Sequence, residues 1–250
     1  MPLAYLLVAM PALSSIPNEL LMEIITWLPL KSLIAAQGVD QHWRRLTSLA
    51  VIMPARRVLL NLYLQAIARD DITSLIASMR AHIRPFDRSS YVTALVTRNG
   101  GVDLPEEFRM WILEWPAGVM GWIWPGFEDE APDTAAIMDT QGVNRLSYRY
   151  PYVEEVVIFE IMDAEGRNPR CEKAHVKALE IYKRFPRSDW LVMSGTRQHM
   201  LGTVQSISAY QSTLEGAALL KVIEEMERFR CSGWVEWLSR QLRDTVDGQQ

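Results

Sequence analysis

The chain has 250 residues with 49% hydrophobic and 22% charged side chains, ordinary values that exclude a mainly disordered chain or a coiled-coil rod. Its net charge of −4 argues against a protein that binds nucleic acid mainly through positive charge. The two cysteines, Cys171 and Cys231, lack disulfide-framework or zinc-site spacing, which favours a reducing intracellular compartment, cytoplasmic or nuclear.

The first element is an apolar stretch over residues 1–13, MPLAYLLVAMPAL. No Lys or Arg precedes its apolar core, whereas a secretory signal normally begins with a basic segment. We therefore expect an apolar arm that packs on the domain following it. No stretch of the sequence approaches the ~20 consecutive apolar residues that cross a bilayer, so no membrane partner is predicted.

Three short helices are predicted over residues 15–49. Pro17 suits the start of the first helix and Pro29 ends it, while Asp40 is placed to cap the third. Apolar residues recur at the spacing of one helix face, at Leu20, Leu21, Ile24, Ile25, Leu28, then Leu30, Leu33 and Ile34, and finally Trp43 and Leu46. Such a unit, of about 35 residues, is too small for an independent core. Its apolar surplus indicates either a docking surface or packing against the rest of the chain.

The run IPNELLMEIITWLPLKSLIAAQGVDQHWRRL resembles an F-box, which we place at residues 14–50. Two positions depart from the family pattern, with Ile16 in place of a leading Leu and Asp40 in place of a common Cys. The resemblance implies docking to the Skp1 adaptor, and through it to the cullin, of a ubiquitin ligase. The adaptor-binding residues that it implies are Ile16, Pro17, Leu20, Leu21, Ile24, Leu28, Leu33, Val39 and Trp43.

After this region the pattern predicts helices, then strands. Helical segments are expected between residues 54 and 84, with Asp70 or Asp71 as a cap, from 87 to about 98, and from Pro105 to Pro116. Strand-like runs follow at residues 155–162, 176–182, 190–193 and 202–207, and the end is helical again. That order predicts the α+β fold class: a three-helix F-box followed, at residues 55–245, by an antiparallel sheet flanked by helices.

This second region resembles the SMI1/KNR4-type domain. The matching pieces are LPEEFRMWILEWPAG, DWLVMSG and WVEWLSRQL. An F-box followed by such a domain is similar to a class of fungal F-box proteins. We interpret the region as the part of the chain that binds a protein substrate.

The sequence carries no phosphate-binding loop, nucleophile elbow or His-Glu-x-x-His motif. Four histidines lie apart from one another, without metal-ligand spacing: His42, His82, His175 and His199. The consecutive acids Glu128, Asp129 and Glu130 are typical of a solvated loop rather than of a catalytic acid pair. We therefore predict a non-catalytic protein with no cofactor and no metal.

Two clusters have more than one interpretation. Basic residues near the third helix are similar to those of a helix-turn-helix DNA reader, but a solvated face with some adaptor contact is favoured; they are Arg44, Arg45, Arg56 and Arg57. Trp122 and Trp124 would share one face of an extended segment, either in the core or as a substrate-binding platform beside the acidic loop. The core interpretation is favoured because most large aromatic side chains are buried.

The sequence favours a non-catalytic substrate-receptor subunit of a Skp1–cullin–F-box ubiquitin ligase. In this interpretation the F-box docks the adaptor while the second domain holds an unknown protein substrate. Two alternatives stay open: a scaffold or regulatory protein outside ubiquitination and, ranked last, a DNA-binding protein.

Overall fold

The structure is a computed structural model that describes residues 16–127, 142–146, 151–162, 170–211 and 213–247. The expected apolar arm at 1–13 and the acidic stretch that follows Phe127 lie outside the described residues. The chain divides into two compact units, residues 1–60 and 61–250. We call the first the helical unit and the second the sheet unit, and describe each by itself.

The helical unit contains the three predicted helices, α1 (Asn18–Trp27), α2 (Leu30–Val39) and α3 (Gln41–Leu49). Pro17 and Pro29 occupy the N-cap positions of α1 and α2, where their lack of a backbone N–H costs no helical hydrogen bond. Inward-facing aliphatic residues from all three helices form the core of this unit: Leu21, Ile25, Leu30, Leu33 and Leu46. A fourth helix, α4 (Pro54–Ile67), crosses from this unit into the next.

Five further helices lie in the described part of the sheet unit. Three precede the sheet, α5 (Asp70–Met79), α6 (Arg88–Arg98) and α7 (Glu106–Glu114), and two follow it, α8 (Gly216–Glu227) and α9 (Trp234–Asp247). The predicted cap of α5 was wrong, because Arg69 and not Asp70 or Asp71 holds the N-cap position, and the Arg69 side chain makes no capping hydrogen bond. Asp87 caps α6 by accepting from the backbone N–H of Ser90 at 3.0 Å.

The sheet is antiparallel, as predicted, and its strands are β1 (Val143–Asn144), β2 (Val153–Met162), β3 (Arg170–Arg184), β4 (Arg187–Gly195) and β5 (Val204–Ser208). β1 and β2 pair with successive parts of β3, which then pairs with β4, and β4 with β5. Strand β3 is longer than its predicted apolar run because charged residues at both of its ends continue the ladder. Sequence alternation alone does not reveal such polar ends.

Both faces of the sheet bury apolar side chains. One face carries a cluster that includes Val156, Ile158, Val176 and Val192. Helices α7 and α9 contribute most of an aromatic core, in which most rings contact one another. Its buried members are Phe108, Trp111, Trp115, Trp124, Trp234 and Trp237. The predicted fold class is therefore confirmed, with helices at the N-terminus followed by an antiparallel sheet flanked by helices.

Candidate functional site

Helix α1 exposes an apolar stripe, which we define as Leu20, Ile24 and Trp27. The three residues follow the i, i+4, i+7 spacing of one helix face, and their exposed fractions are 51%, 50% and 79%. Large apolar side chains that share an exposed face on a small unit mark an interaction surface. The α1 stripe is therefore the candidate functional site of the helical unit.

The opposite side of α1 packs into the unit. Leu21 and Ile25 are buried, Leu28 is half-buried, and Leu33 of α2 is fully buried. Leu21 and Leu33, which the sequence interpretation placed among the adaptor contacts, are thus covered by their own unit. Their side chains hold the helices together, and their contact with an adaptor stays a prediction.

The other predicted contact residues keep some access to solvent. Pro17 is exposed at the start of α1, and Val39 is 60% exposed at the end of α2. Ile16, Leu28 and Trp43 are half-buried. Pro17, Leu20 and Ile24 are all exposed, as predicted. Their contact with an adaptor stays a prediction.

Sequence reasoning did not single out Trp27, although it is the most exposed member of the α1 stripe. The signal was present, because Trp27 follows Leu20 by seven residues and therefore lies on the same helix face. Tryptophan is also the residue type most enriched among the dominant contacts of protein interfaces. Trp27 joins the candidate site on both grounds.

Two polar contacts fix the geometry of α3. Asp40 Oδ1 accepts from the backbone N–H of Trp43 at 2.9 Å, which confirms the predicted cap. At the other end, Arg57 Nη2 donates to the carbonyl oxygens of Thr47 and Ala50 at 2.9 and 2.8 Å. These carbonyls are left without partners where a helix ends. Arg57 thus has a structural role, which differs from the solvated face expected for the basic cluster.

The aromatic segment of the sheet unit does not form the exposed platform considered from the sequence. Residues Gly121–Ile123 form a 3-10 turn rather than an extended segment. Trp124 is 1% exposed and meets Trp111 edge-to-face at 4.9 Å between ring centroids, while the guanidinium of Arg88 lies 4.7 Å from its ring. Trp124 therefore lies in the core, which is the interpretation that the sequence favoured. Trp122 is half-buried.

A close backbone approach anchors this aromatic segment. Arg84 N–H donates to the carbonyl of Gly126 at 2.7 Å, and Ile83 bridges Phe127 in antiparallel fashion. A Cβ on Gly126 would lie 2.2 Å from the carbonyl oxygen of Arg84, so only glycine fits. The segment is thereby fixed in the core rather than free to present its rings.

Within the described ranges, no helix is both long and apolar enough to span a bilayer. The family model of the F-box domain matches residues 13–48. The chain therefore carries an F-box domain there, and this match supports binding to a Skp1-type adaptor. No curated protein and no solved structure matches the chain significantly. The matched range contains the whole α1 stripe.

Proposed function

We propose that the chain is a non-catalytic substrate-receptor subunit of a Skp1–cullin–F-box ubiquitin ligase. The observation that carries the proposal is the exposed α1 stripe within an F-box domain. In this proposal Leu20, Ile24 and Trp27 enter a groove of the adaptor, with Pro17 and Val39 at the edge of the interface. The adaptor links the receptor to the cullin.

Burial of the stripe is a sufficient source of affinity. Complete burial of one large apolar side chain contributes about 1.5–3 kcal/mol. Three such side chains, at least half exposed in the free unit, supply on the order of several kcal/mol before the cost of association. Trp27 is expected to contribute most because it has the largest exposed fraction and the largest side chain of the three.

The sheet unit is assigned to target capture. A receptor of this kind accelerates ubiquitin transfer by holding the target near the charged carrier, which raises the effective concentration of the two reactants. No reactive side chain is needed for that role. The division into two compact units supports this separation of tasks, with adaptor docking in one and target binding in the other.

Two finer expectations accompany the proposal. The resemblance of residues 55–245 to the SMI1/KNR4-type domain, and with it a fungal origin, stays a prediction. So does the compartment, which we expect to be the cytoplasm or the nucleus, where the ligase and its targets would meet.

The proposal is tested by affinity purification of the full chain from cells, followed by detection of the adaptor and the cullin. A Leu20→Asp/Ile24→Asp double variant introduces two unpaired charges into the stripe and should abolish recovery of both partners. Trp27→Ala should reduce recovery at least tenfold. Because all three positions are exposed, far-UV circular dichroism should show the fold unchanged.

Ser48→Asp is the control for an added carboxylate, since it places one negative charge at an exposed position of α3 outside the stripe and should leave recovery unchanged. Wild-type recovery of the adaptor by the double variant would refute docking through α1. If the wild-type chain recovers neither adaptor nor cullin, the scaffold interpretation replaces the receptor proposal.

A further inference from the structure

A pocket of about 350 Å³ opens at one end of the sheet, and we call it the sheet pocket. Its size falls within the range of about 300–1,000 Å³ that is typical of ligand sites. The strand register explains its position. Glu180 lies opposite Trp190, and Ser188 lies opposite both Lys183 and Ile207, so these side chains share one face and line the pocket together.

The pocket is open because the residues of this face change character along the strands. In the middle of the face, Val156, Val176 and Val192 pack into a closed apolar cluster. At the pocket end, the corresponding positions carry Glu154 and Glu180, whose charged groups cannot close into an apolar core. The sequence thus replaces core residues with polar residues at one end of a buried face.

The carboxylates of the sheet pocket already have partners. Glu180 Oε2 accepts from Arg145 Nε at 3.0 Å, and Glu154 Oε2 accepts from the hydroxyl of Tyr152 at 2.5 Å. The charge of Arg187 is balanced by buried Asp189, 3.5 Å away. The acceptors that line the pocket are therefore largely engaged within the protein.

Several donors of the pocket are not engaged. Lys183 is exposed and has no ion-pair partner in the described part of the chain. Arg145 contacts Glu180 through its Nε, and among the described residues its two terminal nitrogens have no acceptor. The unused nitrogens of Lys183 and Arg145 fit a ligand that accepts hydrogen bonds and carries negative charge.

The rim of the pocket is aromatic. Tyr152 and Phe185 line it and are 51% and 54% exposed. Rings of this kind bind apolar side chains at low entropic cost and are common anchors of protein interfaces. A ligand that combines an acidic group with a neighbouring apolar group therefore matches both parts of the site.

We propose that the sheet pocket is the target-recognition site of this chain and takes an aspartate or glutamate side chain from an acidic segment of a target protein. The carboxylate is received by Lys183 and Arg145, and an adjacent apolar side chain packs against Tyr152 and Phe185. This inference rests on the proposed receptor function and names the class of target that the receptor would hold.

The test is selection of a displayed library of random peptides on the full chain. Every peptide is followed by a constant polar linker, so that a carboxylate in the pocket can come only from a side chain. We expect the selected peptides to share an acidic residue beside an aliphatic or aromatic one. A selected peptide should bind Lys183→Glu at least tenfold more weakly, because this change inverts the charge that meets the carboxylate.

Lys177→Glu is the matched control, since it makes the same charge change at an exposed position of the same strand outside the pocket. It should leave peptide binding unchanged. A basic consensus, the absence of any consensus, or an acidic consensus that binds Lys183→Glu at full strength would each overturn the proposal. Recovery of the adaptor by Lys183→Glu should equal that of wild type, so that failure of this inference is distinguishable from failure of the receptor function.

Discussion

The indole rings of Trp234 and Trp237 stack within α9, with 5.0 Å between their centroids, but their N–H groups have different environments. Trp237 Nε1 donates to Oδ2 of buried Asp189 on β4 at 3.0 Å, whereas Trp234 Nε1 has no acceptor among the described residues. Both tryptophans are buried. The pair therefore offers an internal comparison of one ring with a charge-assisted hydrogen bond and one without.

We expect Trp237→Phe to destabilise the protein more than Trp234→Phe does, by about 1.5–3 kcal/mol, the range for a hydrogen bond to a charged group. Both changes remove a similar ring volume from the same helix, so the difference isolates the bond to Asp189. Urea unfolding followed by circular dichroism measures it. Equal free energies of unfolding for the two variants would show that the bond contributes nothing to stability.

The two tryptophans of the aromatic segment should also differ when truncated. Trp124→Ala removes a buried ring that contacts Trp111 and Arg88, and we expect a loss of about 3–5 kcal/mol. Trp122→Ala should cost about half of that or less because the ring is half-buried. Thermal melts of the full chain test the order. A larger loss of stability for Trp122→Ala than for Trp124→Ala would show that Trp124 is not the main core residue of this segment.

The two thiols should react at different rates. Burial raises the pKa of the Cys231 thiol to about 11, and it also raises the pKa of Cys171, which is half-buried on β3. At pH 8 only about one thousandth of Cys231 is then the reactive thiolate. We expect iodoacetamide to label Cys171 first and Cys231 only after unfolding, as measured by peptide mass spectrometry. Faster labelling of Cys231 in the folded chain would contradict this.

The start of α9 should confer a dependence of stability on pH. Ser232 donates from its hydroxyl and its backbone N–H to Glu236 Oε2, at 2.6 and 2.7 Å, and these bonds hold the pKa of Glu236 below its usual range. A lowered folded-state pKa stabilises the fold above the unfolded pKa, and the effect is lost as pH falls through the folded pKa. The stability difference between wild type and Glu236→Gln should therefore shrink between pH 7 and pH 3.

Melting temperatures across that pH range measure the Glu236 effect. Glu224→Gln, at an exposed position of α8, is the control for loss of one carboxylate. A difference between wild type and Glu236→Gln that stays constant from pH 7 to pH 3 would rule out the carboxylate as its source.

Local features of this protein were predictable from sequence because they depend on residues within one or two helical turns. Asp40 and Asp87 cap helices through bonds to residues three positions away, and both caps follow from residue type and position. The shared face of Leu20 and Ile24 follows from the helical repeat alone. The same repeat places Trp27 on this face, so its position was also predictable from the sequence.

Tertiary structure alone decided which face of α1 is covered and where the sheet pocket lies. Leu20 and Leu21 are adjacent and chemically identical, and only the packing of α2 and α3 makes one exposed and the other buried. Arg145 meets Glu180 across 35 residues of chain because β1, which directly precedes Arg145, pairs with β3 in one particular register. A strand pattern with period two does not specify its partner or its register, so side chains that converge from several strands become visible only once the sheet has formed.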